Sequence, residues 1–272
     1  MQHIVLLNPK GGCGKTTIAT HLAVYASTMG LRVALADHDP QQSSHDWIKA
    51  RPRRCADIDI IAAYDGASPE GDYDVIVHDM PGADIAKQVP VASVCNKLLI
   101  PIMPSPIDIK AALRLWVDLS NFGWLDNPNM EIGIVANRVK ANTKFLATFD
   151  AFIQRMNIPR VATLRDTQNY IRALDAGLSL FDLPPGRVAA DLAQWQPLME
   201  WSGLFEMEDE ELLALFAMEG PAEAASGGAF DGAINESELS ADEPEFVSLD
   251  DLYAEGDASE MMPDDSSEPH GY

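Results

Sequence analysis

The 272-residue sequence predicts an α/β fold with a doubly wound, mostly parallel sheet, followed by an acidic tail. Three observations carry this. Short, continuously apolar runs alternate with longer amphipathic stretches, as buried parallel strands do with their crossover helices. The first run, Ile4-Val5-Leu6-Leu7, leads through a glycine-rich loop straight into a helical pattern. Two later runs end at acids, Asp37 and Asp79, at the C-terminal end of a strand, where open α/β sheets build their ligand sites.

The loop reads Asn8-Pro9-Lys10-Gly11-Gly12-Cys13-Gly14-Lys15-Thr16-Thr17. Glycines let successive amide N–H groups converge on phosphate oxygens, and the following helix adds the positive end of its dipole. Gly11, Gly12, Cys13, Gly14, Lys15, Thr16 and Thr17 are therefore the expected nucleotide-binding residues, Lys15 reaching the β and γ phosphates and Thr16 holding Mg²⁺. The usual P-loop NTPase pattern has Gly five positions before the Gly14-Lys15 pair; here Pro9 stands there, and a second lysine, Lys10, follows.

Lys-Gly-Gly-x-Gly-Lys-Thr resembles the deviant phosphate loop of the ParA/MinD ATPases, most closely the small ParA (ParF-type) and McdA-like positioning proteins. The resemblance implies a role for each lysine. Lys15 serves its own subunit's nucleotide, and Lys10 reaches across an ATP-sandwiched homodimer to the partner's phosphates. A cation supplied in trans where charge develops is worth about 10³ to 10⁵ in rate elsewhere.

Taken in order, residues 15–29 place Ile18, Ala19, Leu22, Ala23, Ala26 and Met29 on one helical face and stop at Gly30. Residues 32–36 form the second strand, running into Asp37-His38-Asp39-Pro40-Gln41-Gln42, which resembles the family's switch I. The resemblance gives Asp39 the attacking water and Asp37 the support of the loop and metal shell; the alternative is a helix cap by an Asp or by Ser43. Residues 43–50 make a short helix with Trp47, and Lys49, Arg51, Arg53 and Arg54 follow as a basic run, read as a solvated loop rather than a phosphate contact. A minor strand covers 58–62. The run from Asp74 to Asp79 is the Walker B strand, with Asp79 holding Mg²⁺ through water, and residues 80–84 look like switch II. His78, mid-strand, reads as structural.

Residues 97–102 are another buried strand. The segment 101–109 resembles the Pro-x-x-Pro-Ser-Pro-x-Asp run of ParF-type proteins, and a helix over 107–122 would then lie at the dimer face. Residues 131–136 give a further strand ending at Asn137, whose amide contacts adenine in the family; a turn-capping Asn is the alternative. An amphipathic helix follows over 142–156, the stretch 181–186 would close over the base, and residues 188–204 form a final helix bent or broken at Pro197.

Charge divides the chain. All 19 Lys and Arg lie in residues 1–204, which net −2, while residues 205–272 carry 21 acids and no Lys or Arg. The expected division is an ATPase domain over 1–204 and an acidic, disordered tail over 205–272, with residues 208–216 as one short acidic helix and 246–253 as a partner-binding segment. A tail without basic residues does not suit a membrane anchor. Cys13, Cys55 and Cys95 have no paired spacing, and no signal peptide or long apolar span is visible, which points to the cytoplasm.

Residues 138–187 carry eight basic residues against four acids. ParA proteins dimerised by ATP bind DNA without sequence preference through this part of the chain. Arg165, Arg172 and Arg187 are the first candidates, with Arg160, Lys140 and Lys144 behind them. The resemblance implies an ATP- and Mg²⁺-dependent ATPase that associates with the nucleoid and positions a plasmid, a chromosomal locus or a protein compartment such as a carboxysome. A cargo adaptor or ParB-like protein would stimulate hydrolysis. The alternatives are a regulator acting on a protein without DNA, and an ATP-coupled metabolic enzyme.

Overall fold

The computed structural model describes residues 1–82, 88–140 and 144–204. The expectations for the tail at 205–272, including its segments 208–216 and 246–253, for the end of the 80–84 loop and for the side chain of Lys144 lie outside the described residues.

Seven strands form one sheet: β1 (Gln2–Leu6), β2 (Val33–Asp37), β3 (Asp59–Ile61), β4 (Val75–Asp79), β5 (Lys97–Ile102), β6 (Glu131–Val139) and β7 (Arg160–Arg165). Their order is β3-β2-β4-β1-β5-β6-β7, and every pairing is parallel. Helices α1 (Lys15–Thr28), α2 (Ser43–Ala50), α3 (Val89–Ala92), α4 (Pro106–Asn121), α5 (Lys144–Met156), α6 (Gln168–Asp175) and α7 (Pro185–Ser202) connect or follow them. The chain leaves β1 toward one edge and returns past it to the other, so the sheet reverses direction at β1. The crevice beyond the C-terminal ends of β1, β2 and β4 is thus the natural ligand site.

Two cores follow from the period-2 alternation of the strands. Ile4, Leu6, Leu35 and Val77 face α1 and α7, packing on Ile18, Leu22, Trp195 and Leu198. Val5, Leu7, Leu98 and Ile100 face α4 and α5, packing on Leu115, Leu119, Trp124 and Phe149. Burying each such side chain contributes about 1.5–3 kcal/mol.

The structure differs from the sequence reading in three places. β7 and α6 had not been foreseen, because Arg160-Val161-Ala162-Thr163-Leu164-Arg165 is a polar-ended edge strand with little apolar contrast. β6 continues to Val139 through register shifts, with Arg138 in the left-handed region at φ 54°. α7 runs unbroken through Pro197. The hydrogen bond lost there is offset by burial of Trp195, Leu198 and Met199 on either side.

Residues 177–183 pack inward against α1 and α2. Leu180–Asp182 is a 3₁₀ turn whose Leu180 amide donates to His21 Nε2 at 3.1 Å. That fixes the tautomer: His21 Nδ1 carries the proton and donates to Thr17 O at 2.7 Å. Burial lowers the His21 pKa to about 4, so the ring is neutral, stacked on Trp195 at 5.1 Å with Phe181 alongside. On the other side Arg51 donates to both Asp182 carboxylate oxygens, at 2.9 and 3.0 Å, and to Gly177 O at 3.3 Å. The pair is 5% and 7% exposed. Burial pushes the Asp182 carboxyl up, but the bonds from Arg51 and Ser179 outweigh it and hold the pKa below the usual range. Trp47 Nε1 donates to Leu178 O at 3.3 Å, and the Arg51 guanidinium lies 5.3 Å over its ring.

Gly177 permits this seam. Its φ is 67°, and a Cβ there would stand 2.4 Å from the backbone carbon of Ala50. Gly177→Ala is therefore expected to lower folding stability by about 2 kcal/mol or more, measured as a reduced urea midpoint with an unchanged slope.

Candidate nucleotide-binding site

The loop after β1 is held open by the groups around it. Asn8 Nδ2 donates to Pro101 O at 2.7 Å, and Asn8 Oδ1 accepts from the Lys10 amide at 2.9 Å. Gly14, the residue before α1, has φ 97° and no capping side chain. A Cβ on Gly14 would also stand 2.1 Å from Asn137 Nδ2, which donates to Cys13 O at 2.7 Å, so glycine is required there on two counts. The amides of Gly11 to Thr17 find no oxygen or nitrogen acceptor among the described residues; the first α1 bond is Ile18 N–H to Gly14 O. Seven consecutive donors at a helix N-terminus make an anion cradle. Lys15, 8% exposed, points its Nζ back under this loop, donating to Asn8 O at 3.0 Å and Lys10 O at 3.4 Å. The donor set fits a polyphosphate.

Strand register brings the acids together: Asp37 of β2 and Leu6 of β1 both align with Asp79 of β4. Asp79 is buried, and its Oδ2 accepts from Thr16 Oγ1 and Ser44 Oγ, each at 2.7 Å. Its Oδ1 is buried with no partner. Burial raises the Asp79 pKa to about 6, only partly countered by the two hydroxyls. An orphaned carboxylate oxygen beside a threonine hydroxyl is the hard, oxygen-only donor set of Mg²⁺, which keeps water and phosphate as its other ligands. Among the described residues no group of three or more His, Cys, Asp or Glu is placed to hold a metal ion.

Asp37 is pinned by backbone amides: Asp39 N–H donates to its Oδ1 and His45 N–H to its Oδ2, each at 3.0 Å. It thus supports the switch loop and caps the first turn of α2 together, while burial raises its pKa. Asp39 is half-buried and accepts the Gln41 amide at 2.9 Å through Oδ1. Gln42, before α2, takes φ 59°, a strained conformation for a non-glycine residue.

Three features were not legible as functional in the sequence. Ser44, one of two adjacent serines, ties α2 to Asp79. Asp108 receives Lys10 Nζ at 2.6 Å in a pair whose acid is 1% exposed, and Ser105, which caps α4, also contacts it. His3, His78 and His38 form a line: His3 Nδ1 to His78 Nε2 at 2.9 Å, and His78 Nδ1 to His38 Nε2 at 3.0 Å. Burial lowers the pKa of all three, His38 to about 4 and His78 well below the usual imidazole value, which favours neutral rings. His78 thereby uses both nitrogens to link β1 to the switch loop, a structural role of the kind the sequence suggested.

The candidate DNA-contacting arginines separate. Arg160 pairs with Asp150, and Arg165 with the fully buried Asp191, which also accepts from Asn169. Arg172 and Arg187 are exposed and unpaired among the described residues. Asn137, besides bracing the loop, accepts its neighbour's Arg138 amide at 2.9 Å.

A parallel sheet reversing at β1, a lysine-threonine loop of unpaired amides and a carboxylate across from it define a P-loop nucleotide-binding protein. The chain belongs to the CobQ/CobB/MinD/ParA nucleotide-binding domain family, whose model matches residues 4–180. It is 30% identical over 200 residues, 69% of this chain and 91% of the relative, to maintenance of carboxysome distribution protein A of Halothiobacillus neapolitanus. A solved Cyanothece McdA–ATP complex shares the fold with TM-score 0.61 at 17% identity, covering 77% of this chain and 99% of that one. A putative plasmid partition protein of Borrelia burgdorferi bound to AMPPNP gives TM-score 0.57 at 18% identity, with 73% and 98% covered. No helix among the described residues is long and apolar enough to cross a membrane.

The raised Asp79 pKa has a signed consequence. The unfolded chain sheds this proton near the ordinary value of 3.8 and the folded chain near 6, so stability present below about 4 is lost as pH rises through about 6. Asp79→Asn is expected to raise stability at pH 7 without nucleotide or Mg²⁺ by about 2–3 kcal/mol, and to flatten the dependence between pH 4 and 6 in urea titrations.

Proposed function

We propose that this protein is a Mg²⁺-dependent ATPase that dimerises around ATP, holds DNA without sequence preference in that state, and positions an intracellular cargo. The observation that carries it is the run of amides from Gly11 to Thr17 with no oxygen or nitrogen acceptor among the described residues, beside Lys15 and the Thr16–Asp79 pair. Lys15 would bind the β and γ phosphates, and Asn137 would turn from Cys13 O to the adenine edge. Thr16 and Asp79, with Asp37 behind them, would hold Mg²⁺, which when bound neutralises phosphate charge. Asp39 would orient the attacking water, since its second carboxylate oxygen makes no bond among the described residues.

Lys10 stays in its own subunit through Asp108. Dimerisation would exchange that carboxylate for the partner's phosphates, delivering a cation where charge develops. Likeness to a carboxysome distribution protein over most of that relative's length favours a protein compartment as cargo, with an adaptor that stimulates hydrolysis. Arg172 and Arg187, the two first-choice candidates without an acid partner among the described residues, would be the DNA contacts, placing the protein on the nucleoid.

Three variants test the assignment. Lys15→Ala is expected to lose ATP binding in isothermal titration. Lys10→Ala should keep that affinity yet turn over about 10³-fold more slowly or worse. Asp39→Ala should bind ATP without turnover and sediment as a dimer on DNA; a strictly monomeric Asp39→Ala protein in saturating ATP and Mg²⁺ would overturn the proposal.

A further inference from the structure

Six arginines have no acid partner among the described residues: Arg53, Arg54, Arg114, Arg155, Arg172 and Arg187. All are exposed, and four of them, Arg53, Arg54, Arg172 and Arg187, lie within five residues along the chain of the segments that form the seam between α2 and residues 177–182. Arg53 and Arg54 are the two central residues of a turn closed by Cys55 N–H to Pro52 O at 3.0 Å. The foot of that turn is clipped from inside. Arg51 Nε donates to Ala56 O at 3.1 Å, and the same guanidinium holds Gly177 O and Asp182. One arginine is buried as the anchor while its two neighbours stand in solvent. Arg172 precedes Gly177 by five residues and Arg187 follows Asp182 by five, so both lie close along the chain to the points where the seam closes. Residues 47–56 carry no acid, Asp182 is neutralised by Arg51, and Asp175 is the one other carboxylate between residues 169 and 188.

We infer that the turn at 52–55, with Arg172 and Arg187, is a phosphate-binding surface for duplex DNA, led by Arg53 and Arg54. The inference rests on the DNA-binding reading above and adds to it a loop that the sequence reading had assigned to solvent. Guanidinium forks at the tip of a clipped turn suit backbone phosphates and start with part of their ordering cost already met. The nearby aromatic, Trp47, is buried, which leaves phosphate contacts without base stacking and hence no sequence preference. The position also links the surface to the nucleotide. α2 is about 12 Å long. Its N-terminal end is bonded to Asp79 through Ser44 and to Asp37 through the His45 amide, and its C-terminal end runs into Arg51. A displacement of the two carboxylates is thus delivered to the foot of the arginine turn.

The test is fluorescence anisotropy of full-length protein on a nonspecific duplex with ATP and Mg²⁺, between about 50 and 200 mM salt. The Arg53→Ala/Arg54→Ala protein should bind roughly tenfold or more weakly at 0.1 M salt, with the slope of log K against log salt reduced by about 2. Its ATP affinity should match wild type, and Arg155→Ala on α5 should bind DNA as wild type does. Unchanged affinity and slope in the double variant would overturn the inference. Tighter DNA binding would also overturn it. Wild-type protein that binds no DNA in ATP would remove the DNA-binding reading and this surface with it.

Discussion

Backbone N–H groups rarely lack an acceptor in a folded protein, and here none of the seven from Gly11 to Thr17 finds an oxygen or nitrogen acceptor among the described residues. No side chain caps them, Gly14 takes a left-handed conformation to aim them, and Asn137 braces the turn from β6. The concentration of partial positive charge favours an anion with several oxygens. Neighbouring features answer to that constraint: Lys15 folded beneath the loop, Asp79 facing Thr16, and the sheet reversing at β1 so that three strand ends open on the same crevice.

The groups around the loop are neutral or at least partly compensated. Asp79 is buried beside two hydroxyls with one oxygen unsatisfied, an arrangement that costs stability until a cation is present. His3, His78 and His38 cross the sheet as neutral rings, filling polar space without adding charge next to Asp37 and Asp79. The Lys10–Asp108 pair keeps a cation at the rim of the loop instead of inside it. Charge is therefore rationed around the crevice, and under the proposed function a nucleoside triphosphate with its counter-ion would balance it.

α2 and its flanking loops join this crevice to the rest of the molecule. Ser44 and the His45 amide fasten one end to the carboxylates, and Arg51, Trp47 and Gly177 fasten the other to the turn that His21 holds against α1. The start and the middle of α1 and both ends of α2 thus meet in one hydrogen-bonded circuit. A change at the carboxylates has few soft joints in which to dissipate.

The order of elements, the phosphate loop, the two strand-end acids and the short helix at 43–50 could be read directly, because each is a property of neighbouring residues: spacing, apolar period, glycine placement. β7 escaped because an edge strand with arginine at both ends carries little such contrast. What tertiary structure alone decided is which polar groups find each other. Ser44 looked no different from Ser43 until β4 placed Asp79 beside it, and Arg51 no different from Arg53 until Gly177 let two backbones approach. Arg165 and Arg172 look equivalent in sequence, yet α7 supplies a buried acid to the first and nothing to the second. Pairing across 26 to 126 residues depends on where the sheet and helices put each side chain, and local spacing holds no record of that distance.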